Sequence, residues 1–311
     1  VGVGRIALAG PSSAVPPPPD PPPGTQFTSA SFIGEGLLGA VAGGLANNEL
    51  IYTAGLLDFR ADNDLLVTTA NGAVSALTSG QGFAGTITQP TAANQPAHSG
   101  ANDTLSFTSA SATDEAAGDW LQMPSIATRH QSGSNVVGIF YLLLRVPVLP
   151  MARTATLIRV GANSGVYTRE YGRSHALILG STGGLNIIRE GDTSGTYQQV
   201  NFGGGGLMNA NVWTAVAWTL NRSGGSTSFM HAKAKSGNLA TMQIASTTAA
   251  TSITADASTI ANINRNRWGG NANSGGFGTG WEMHSIGYDA VPPTADNDIQ
   301  ANCDRLLARV A

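Results

Sequence analysis

The feature that most restricts the fold is a succession of short apolar runs through the second half of the chain. They are NVVGIFYLLLRV (135–146), TATLIRVG (154–161), HALILGS (175–181), GLNIIRE (184–190), YQQVNF (197–202), VWTAVAWTL (212–220), TSFMHAK (227–233) and WEMHSIGY (281–288). Each is rich in β-branched or aromatic residues and bounded by Gly, Ser or Asn, the composition and punctuation of strands. Several alternate. Val212, Thr214, Val216, Trp218 and Leu220 fall on one face of their run, with Trp213, Ala215, Ala217 and Thr219 on the other. The run 135–146 is apolar at both parities and is expected to be a central strand. Turn signals throughout, with no helical stretches between the runs, predict an antiparallel sandwich or barrel rather than βαβ units. No repeat of fixed period is visible.

Charge narrows the possible partners. Lys and Arg number 16 and Asp and Glu 19, together 35 of 311 residues, about 11%, for a net charge of −3. That balance gives no electrostatic footprint for a phosphate backbone, so nucleic acid is excluded as the main partner. Mean hydropathy is zero and no stretch offers about 18 uninterrupted apolar residues, which excludes a spanning helix and membrane insertion through one. The lone cysteine, Cys303, makes no internal disulfide and reads as a small buried hydrophobe. The small-residue, low-charge composition is typical of β-rich extracellular or particle-surface proteins. VGVGRIALAG at the start lacks a signal-peptide pattern.

The ends have their own character. PPPPDPPPG (16–24) cannot join a sheet or helix interior and is expected to form a stiff polyproline segment. It makes residues 1–24 an apolar arm with a linker, the arm being ordered only by pairing with another chain or with the body of this one. Residues 25–51 form a Gly/Ala-rich connecting segment, and 52–311 the sandwich. At the other end, Thr294 or Asp296 caps a helix whose apolar stripe is Ile299, Cys303, Leu306, Leu307 and Val310.

The order of features from residue 52 onward resembles concanavalin A-like (laminin-G-like) domains of phage and bacterial surface proteins. LLDFRADN (56–63) and GAVSALTSGQGFAGTITQPTAANQPAH (72–98) resemble the entry to such domains, with the connector Thr88-Gln89-Pro90-Thr91 followed by Pro96. DTLSFTS (103–109), DWLQMPSI (119–126), VWTAVAWTLNRSGGSTSFMHAKAKSG (212–237) and RWGGNANSGGFGTGWEMHSIGYDAVPPTADNDIQANCDRLL (267–307) stand where the family has its later strands and closing helix. Trp281 and the sequence MHAKAKSG depart from the family pattern, and the first 50 residues match nothing in it. The resemblance implies an all-β, antiparallel jelly-roll sandwich.

Catalytic chemistry is thinly represented. Retaining glucanases of the fold carry E-x-D-x-x-E on one strand, because hydrolysis needs two carboxylates about 5 Å apart. Here Glu190 and Asp192 form only an E-x-D pair, with Gly195 in the third position. The five histidines, His98, His130, His175, His231 and His284, lack metal-ligand spacing and read as surface or strand residues; no metal or other cofactor is expected from them. Asp62-Asn63-Asp64 resembles part of a calcium loop, and the resemblance keeps calcium possible. Asp296-Asn297-Asp298 reads better as a helix start. Sugar binding needs an aromatic platform with planar polar side chains. Tyr171, Arg173 and His175 form one such cluster and Arg267, Trp268 and Asn271 another, whereas Trp120, Trp213, Trp218 and Trp281 read as core.

With these features, the resemblance implies a non-enzymatic virion surface protein, a spike, fibre or decoration subunit of a phage or phage-like particle. It would be anchored through residues 1–23 to sister subunits or other virion proteins and would bind host-surface polysaccharide. The rivals are a carbohydrate-active hydrolase or lyase of the same fold and a purely structural cement subunit.

Overall fold

In the computed structural model residues 1–36 and 37–311 form two units. The structure describes residues 48–51, 56–62, 67–82, 85–100, 102–107, 118–124, 131–132, 135–136, 138–151, 154–162, 175–190, 197–202, 207–220, 228–234, 240–244, 259–263, 280–290 and 296–310, in parts of the later strands by backbone alone. All of these lie in the second unit.

Antiparallel strands dominate them. The first eight are short: β1 (Leu56–Arg60), β2 (Val67–Ala70), β3 (Ala73–Thr78), β4 (Gln81–Gly82), β5 (Thr86–Thr88), β6 (Ala97–Ser99), β7 (Thr104–Phe107) and β8 (Leu121–Gln122). β9 (Gln131–Ser132) and β10 (Asn135–Val136) pair with each other and, among the described residues, with no other strand. The longer strands follow: β11 (Gly138–Arg145), β12 (Ala155–Ala162), β13 (His175–Leu179), β14 (Leu185–Glu190), β15 (Tyr197–Phe202) and β16 (Thr214–Leu220). The last are β17 (Ser228–Ala234), β18 (Ala240–Ile244), β19 (Thr259–Ile263) and β20 (Trp281–Asp289), before helix α1 (Asp296–Ala308).

Two layers emerge from the pairing. In the first, β1 and β7 lie along one side of β20, and β11, β16, β17 and β18 follow on the other. In the second the order is β2–β3–β5–β8–β19–β12–β13–β14–β15. β6 bridges β3 and β7, so the hydrogen-bonded ladder curls from one layer into the other. The inner faces meet in one apolar cluster, with Phe140, Val216 and Ile286 from the first layer and Val160, Leu177 and Ile263 from the second. Trp281 stacks on Phe107 (4.5 Å between centroids) and Phe140 packs against Tyr288 (4.6 Å). The all-β sandwich with a short C-terminal helix is therefore the architecture. The expected central strand is β11, paired on both sides and buried over seven of its eight residues.

Local chemistry fixes several turns. Asn71 and Gly72 take φ of 54° and 77° between β2 and β3, the paired left-handed conformation of a two-residue hairpin turn. Gly183, at φ 86°, closes β13 onto β14, and a Cβ there would stand 2.6 Å from the Met208 carbonyl oxygen, so only glycine fits. The TQPT connector is tied down by side-chain amides, those of Gln89 and Asn94 buried. Gln89 Nε2 donates to the Trp120 carbonyl (2.9 Å), Asn94 Nδ2 to that of Gly118 (2.7 Å), and Gln95 Nε2 to that of Gln89 (2.8 Å). These side chains replace ladder partners that an irregular segment lacks.

Helix α1 seals the outer face of the first layer. Ile299, Cys303, Leu306 and Leu307 bury against Ile139, Tyr141 and Leu143 of β11 and Ala215 and Ala217 of β16. Its flank carries Asn302, Arg305 and Arg309, at helical spacing, and these grip the backbone of residues 48–51. Asn302 Oδ1 accepts from Ile51 N (2.8 Å) and its Nδ2 donates to Ile51 O (2.7 Å). Arg305 donates to Glu49 O (3.1 Å) and Arg309 Nε to Asn48 O (2.8 Å). Arg309 also makes a bidentate pair with Asp58 of β1, at 2.9 and 2.6 Å, with both side chains fully buried. No helix among the described residues is long and apolar enough to cross a membrane.

Candidate functional site

The outer face of the first layer changes character where α1 ends. Along β11 the outward residues run Ile139, Tyr141, Leu143 and then Arg145; along β16 they run Ala217, Ala215 and then Trp213, just before the strand begins. Four elements bring charged and aromatic groups to this end. Arg145 stands opposite Glu282 of β20, and Arg60, the last residue of β1, stands opposite Ser285. The register slips between Leu143 and Leu144, leaving His284 as the extra residue of a β-bulge. A bulge of this kind re-aims a side chain, and here it lets His284 and Ser285 share the outer side while Met283 and Ile286 stay in the core.

The result is a continuous strip. Arg145 donates from Nε (2.8 Å) and Nη2 (2.5 Å) to Glu282 Oε2. The Arg145 guanidinium lies over the Trp213 ring, 4.8 Å from its centroid, an arrangement favoured by the ring quadrupole. Trp213 meets the His284 imidazole edge-on at 6.0 Å. His284 Nε2 lies 3.8 Å from Asp62 Oδ2, and Asp62 accepts from Arg60 Nε (2.8 Å) and Nη2 (2.5 Å). The ends of the strip are accessible, with Arg145 23% and Glu282 17% exposed, while His284 is buried.

Protonation states follow from these contacts. Burial lowers the His284 pKa to about 4, with Arg309 and Arg60 adding to the effect and Asp62 and Asp58 opposing it, so the ring is neutral at pH 7. Burial acts to raise the Asp62 pKa, but the hydrogen bond and charge of Arg60 outweigh it and hold Asp62 below the usual carboxylate range. Arg60 is raised in turn by its bond to Asp62. Among the described residues no group of three or more His, Cys, Asp or Glu is placed to hold a metal ion. Asp62, the first residue of the calcium-like triplet, is engaged by Arg60; Asn63 and Asp64 lie outside the described residues.

The two clusters singled out from sequence fall almost wholly outside the described residues. Tyr171, Arg173, Arg267, Trp268 and Asn271 lie outside the described residues, as does Asp192. His175 is described by backbone alone, as the first residue of β13, opposite Val160 and Arg189. One expectation needs correcting. Trp213 and Trp120 are only half-buried, unlike the fully buried Trp218 and Trp281, because each stands next to a strand end rather than within a strand. His284 lies within a strand, β20, as expected, and at the bulge it is buried beside the end of β1. The strip itself left a faint signal in sequence: an arginine ending an apolar run, and a tryptophan in phase with two alanines.

No protein-family model matches this chain, and no curated protein does. Solved structures give distant likenesses. One is the CBM40 of the Ruminococcus gnavus IT-sialidase bound to α2,3-sialyllactose, at 13% identity and TM-score 0.39 over 54% of this chain and 83% of that one. Another is the binding domain of botulinum neurotoxin serotype D/C VPI 5993, at 13% identity and TM-score 0.47 over 83% and 52%. A third is the leech intramolecular trans-sialidase complexed with 2,7-anhydro-Neu5Ac, at 15% identity and TM-score 0.37 over 54% and 23%. The matched region thus spans about half of the neurotoxin chain and about a quarter of the trans-sialidase. At these scores the likenesses carry no argument; the architecture rests on the pairing and packing described above.

Proposed function

We propose that this protein is a non-enzymatic glycan-binding sandwich on the outside of a virion or similar particle, tethered through residues 1–23. The observation that supports binding is the strip Trp213–Arg145–Glu282–His284–Asp62–Arg60, which sets an indole among planar polar groups at an accessible end of a sheet. Such sets suit hydroxyl-rich ligands, which exchange hydrogen bonds with guanidinium, carboxylate and imidazole groups. The same geometry disfavours acid–base chemistry at the strip. Glycoside hydrolysis needs a carboxylic acid kept protonated near neutral pH. Here each carboxylate of the strip is held by an arginine, and Asp62 is pushed the opposite way. The particle role is supported by the sequence of the arm and its polyproline segment, and the Tyr171–His175 and Arg267–Asn271 clusters belong to the proposal as further glycan contacts.

The test is retention of the full chain on immobilised polysaccharides, with reducing-end and unsaturated products recorded in parallel. Retention without product, lost in Trp213→Ala, is the expected result. Product formation would favour the hydrolase or lyase. Absence of retention on every polysaccharide would favour a structural subunit, for which the same strip is simply a network of ion pairs. Deleting residues 1–23 should abolish incorporation into particles while leaving glycan retention unchanged.

A further inference from the structure

Resting on the glycan-binding reading, we infer that the strip selects neutral, hydroxyl-rich glycans over acidic ones, and that Glu282 sets this choice by occupying Arg145. The cations of the strip are matched one for one. Arg60 gives two hydrogen bonds to Asp62, Arg145 gives two to Glu282, and the neighbouring Arg309 gives two to buried Asp58. An acidic sugar would have to displace one of these carboxylates to gain a bidentate arginine contact, and bidentate pairing is the main source of strength in guanidinium–carboxylate recognition. Displacement would also leave the expelled carboxylate beside an incoming anion.

Glu282 makes the discrimination local. Both bonds from Arg145 go to Oε2, so Glu282 Oε1 and Arg145 Nη1 have no partner among the described residues. They leave an acceptor and a donor on one ion pair. A hydroxyl both donates and accepts and satisfies the two together, whereas a carboxylate only accepts and faces Oε1 as a like charge. Trp213 beneath the guanidinium holds the Arg145–Glu282 pair in place, so its free donor and acceptor stay oriented toward a ligand. His284, neutral between Asp62 and the indole, adds no positive charge that would recruit an anion. Selectivity of this kind works by exclusion as much as by attraction.

The experiment compares the full chain with Glu282→Gln and Trp213→Ala by affinity electrophoresis in gels containing dextran, mannan, galactan, polygalacturonate or polysialic acid. Trp213→Phe replaces the alanine variant should the latter not fold. The wild-type chain is expected to be retarded by at least one neutral polymer and by neither acidic one. Glu282→Gln should weaken the neutral interaction and tighten binding to an acidic polymer at least tenfold, because it frees the Arg145 charge. Retardation by acidic polymers alone, lost in the Trp213 variant, would overturn this inference and leave the glycan-binding reading standing. So would a Glu282→Gln variant with unchanged preference. Absence of retardation in all five gels, or retardation indifferent to Trp213, would overturn both.

Discussion

The two ends of one sheet face make an instructive contrast. Under α1 the outward residues of β11 and β16 are Ile139, Tyr141, Leu143, Ala215 and Ala217, and the helix covers them with Ile299, Cys303, Leu306 and Leu307. Beyond the helix, the same strands end in Arg145 and Trp213, joined there by Glu282, His284, Asp62 and Arg60. The alternation of β11 and β16 is the same at both ends; what differs among the described residues is whether α1 covers the face. Where a helix supplies apolar cover, aliphatic side chains are stabilised by burial at about 25 cal/mol per Å². Where no described element does, ion pairs and a half-buried indole keep the surface compatible with water, and they leave donors and acceptors for a ligand. The Arg309–Asp58 pair lies near the border and joins helix, strand and the entry segment in one contact.

The contrast predicts unequal costs. The largest belongs to the buried border. Asp58→Ala should strand the Arg309 guanidinium in a site closed to water and cost about 3–5 kcal/mol in denaturant unfolding. It should also raise protease sensitivity at residues 48–51. The paired replacement of Asp58 and Arg309 by leucine and methionine should cost less than the two single changes summed. Under the helix, Leu306→Ala removes packing without touching charge and should cost about 2–5 kcal/mol.

A pH titration separates the two ends further. His284 has a folded-state pKa of about 4 against an ordinary 6.5. A depressed value means that the unfolded chain takes up the proton first, so the stability associated with His284 is fully present above pH 6.5. It is lost as pH falls toward 4, by roughly 3 kcal/mol in total. His284→Asn should flatten this slope in pH-dependent melting. Below the usual carboxylate range, protonation of Asp62 adds a further loss with the same sign, since its folded pKa is lowered. The smallest stability effect belongs to the open end. Arg145→Met should cost no more than about 1 kcal/mol, as expected of a part-exposed pair, while weakening glycan retention severalfold.

Much of the fold was legible in the residues. The runs from 135 to 288 became β11 to β17 and β20 within a few positions, since alternation and turn residues are local signals. The closing helix and the burial of Cys303 followed from the spacing of its apolar stripe. The strip was legible only as an arginine ending one apolar run and a tryptophan in phase with two alanines. Its contacts join residues from β1, β11, β16 and β20, and only the register, including the bulge at His284, brings them together. The grip of Asn302, Arg305 and Arg309 on residues 48–51 was hidden for a similar reason: its partners are backbone atoms about 250 residues away, and backbone carries no sequence signature. The clusters at 171–175 and 267–271 were found by local density, which detects neighbours in sequence and misses neighbours across strands.

The central claim is that ligand binds at the open end of this face. Hydrogen–deuterium exchange of the full chain, with and without a saturating oligosaccharide from the polymer that retains it, tests this most directly. The account predicts slower exchange at residues 60–62, 144–146, 212–214 and 282–285 and unchanged exchange in α1. Protection confined to other segments, or no oligosaccharide that alters exchange anywhere, would contradict it.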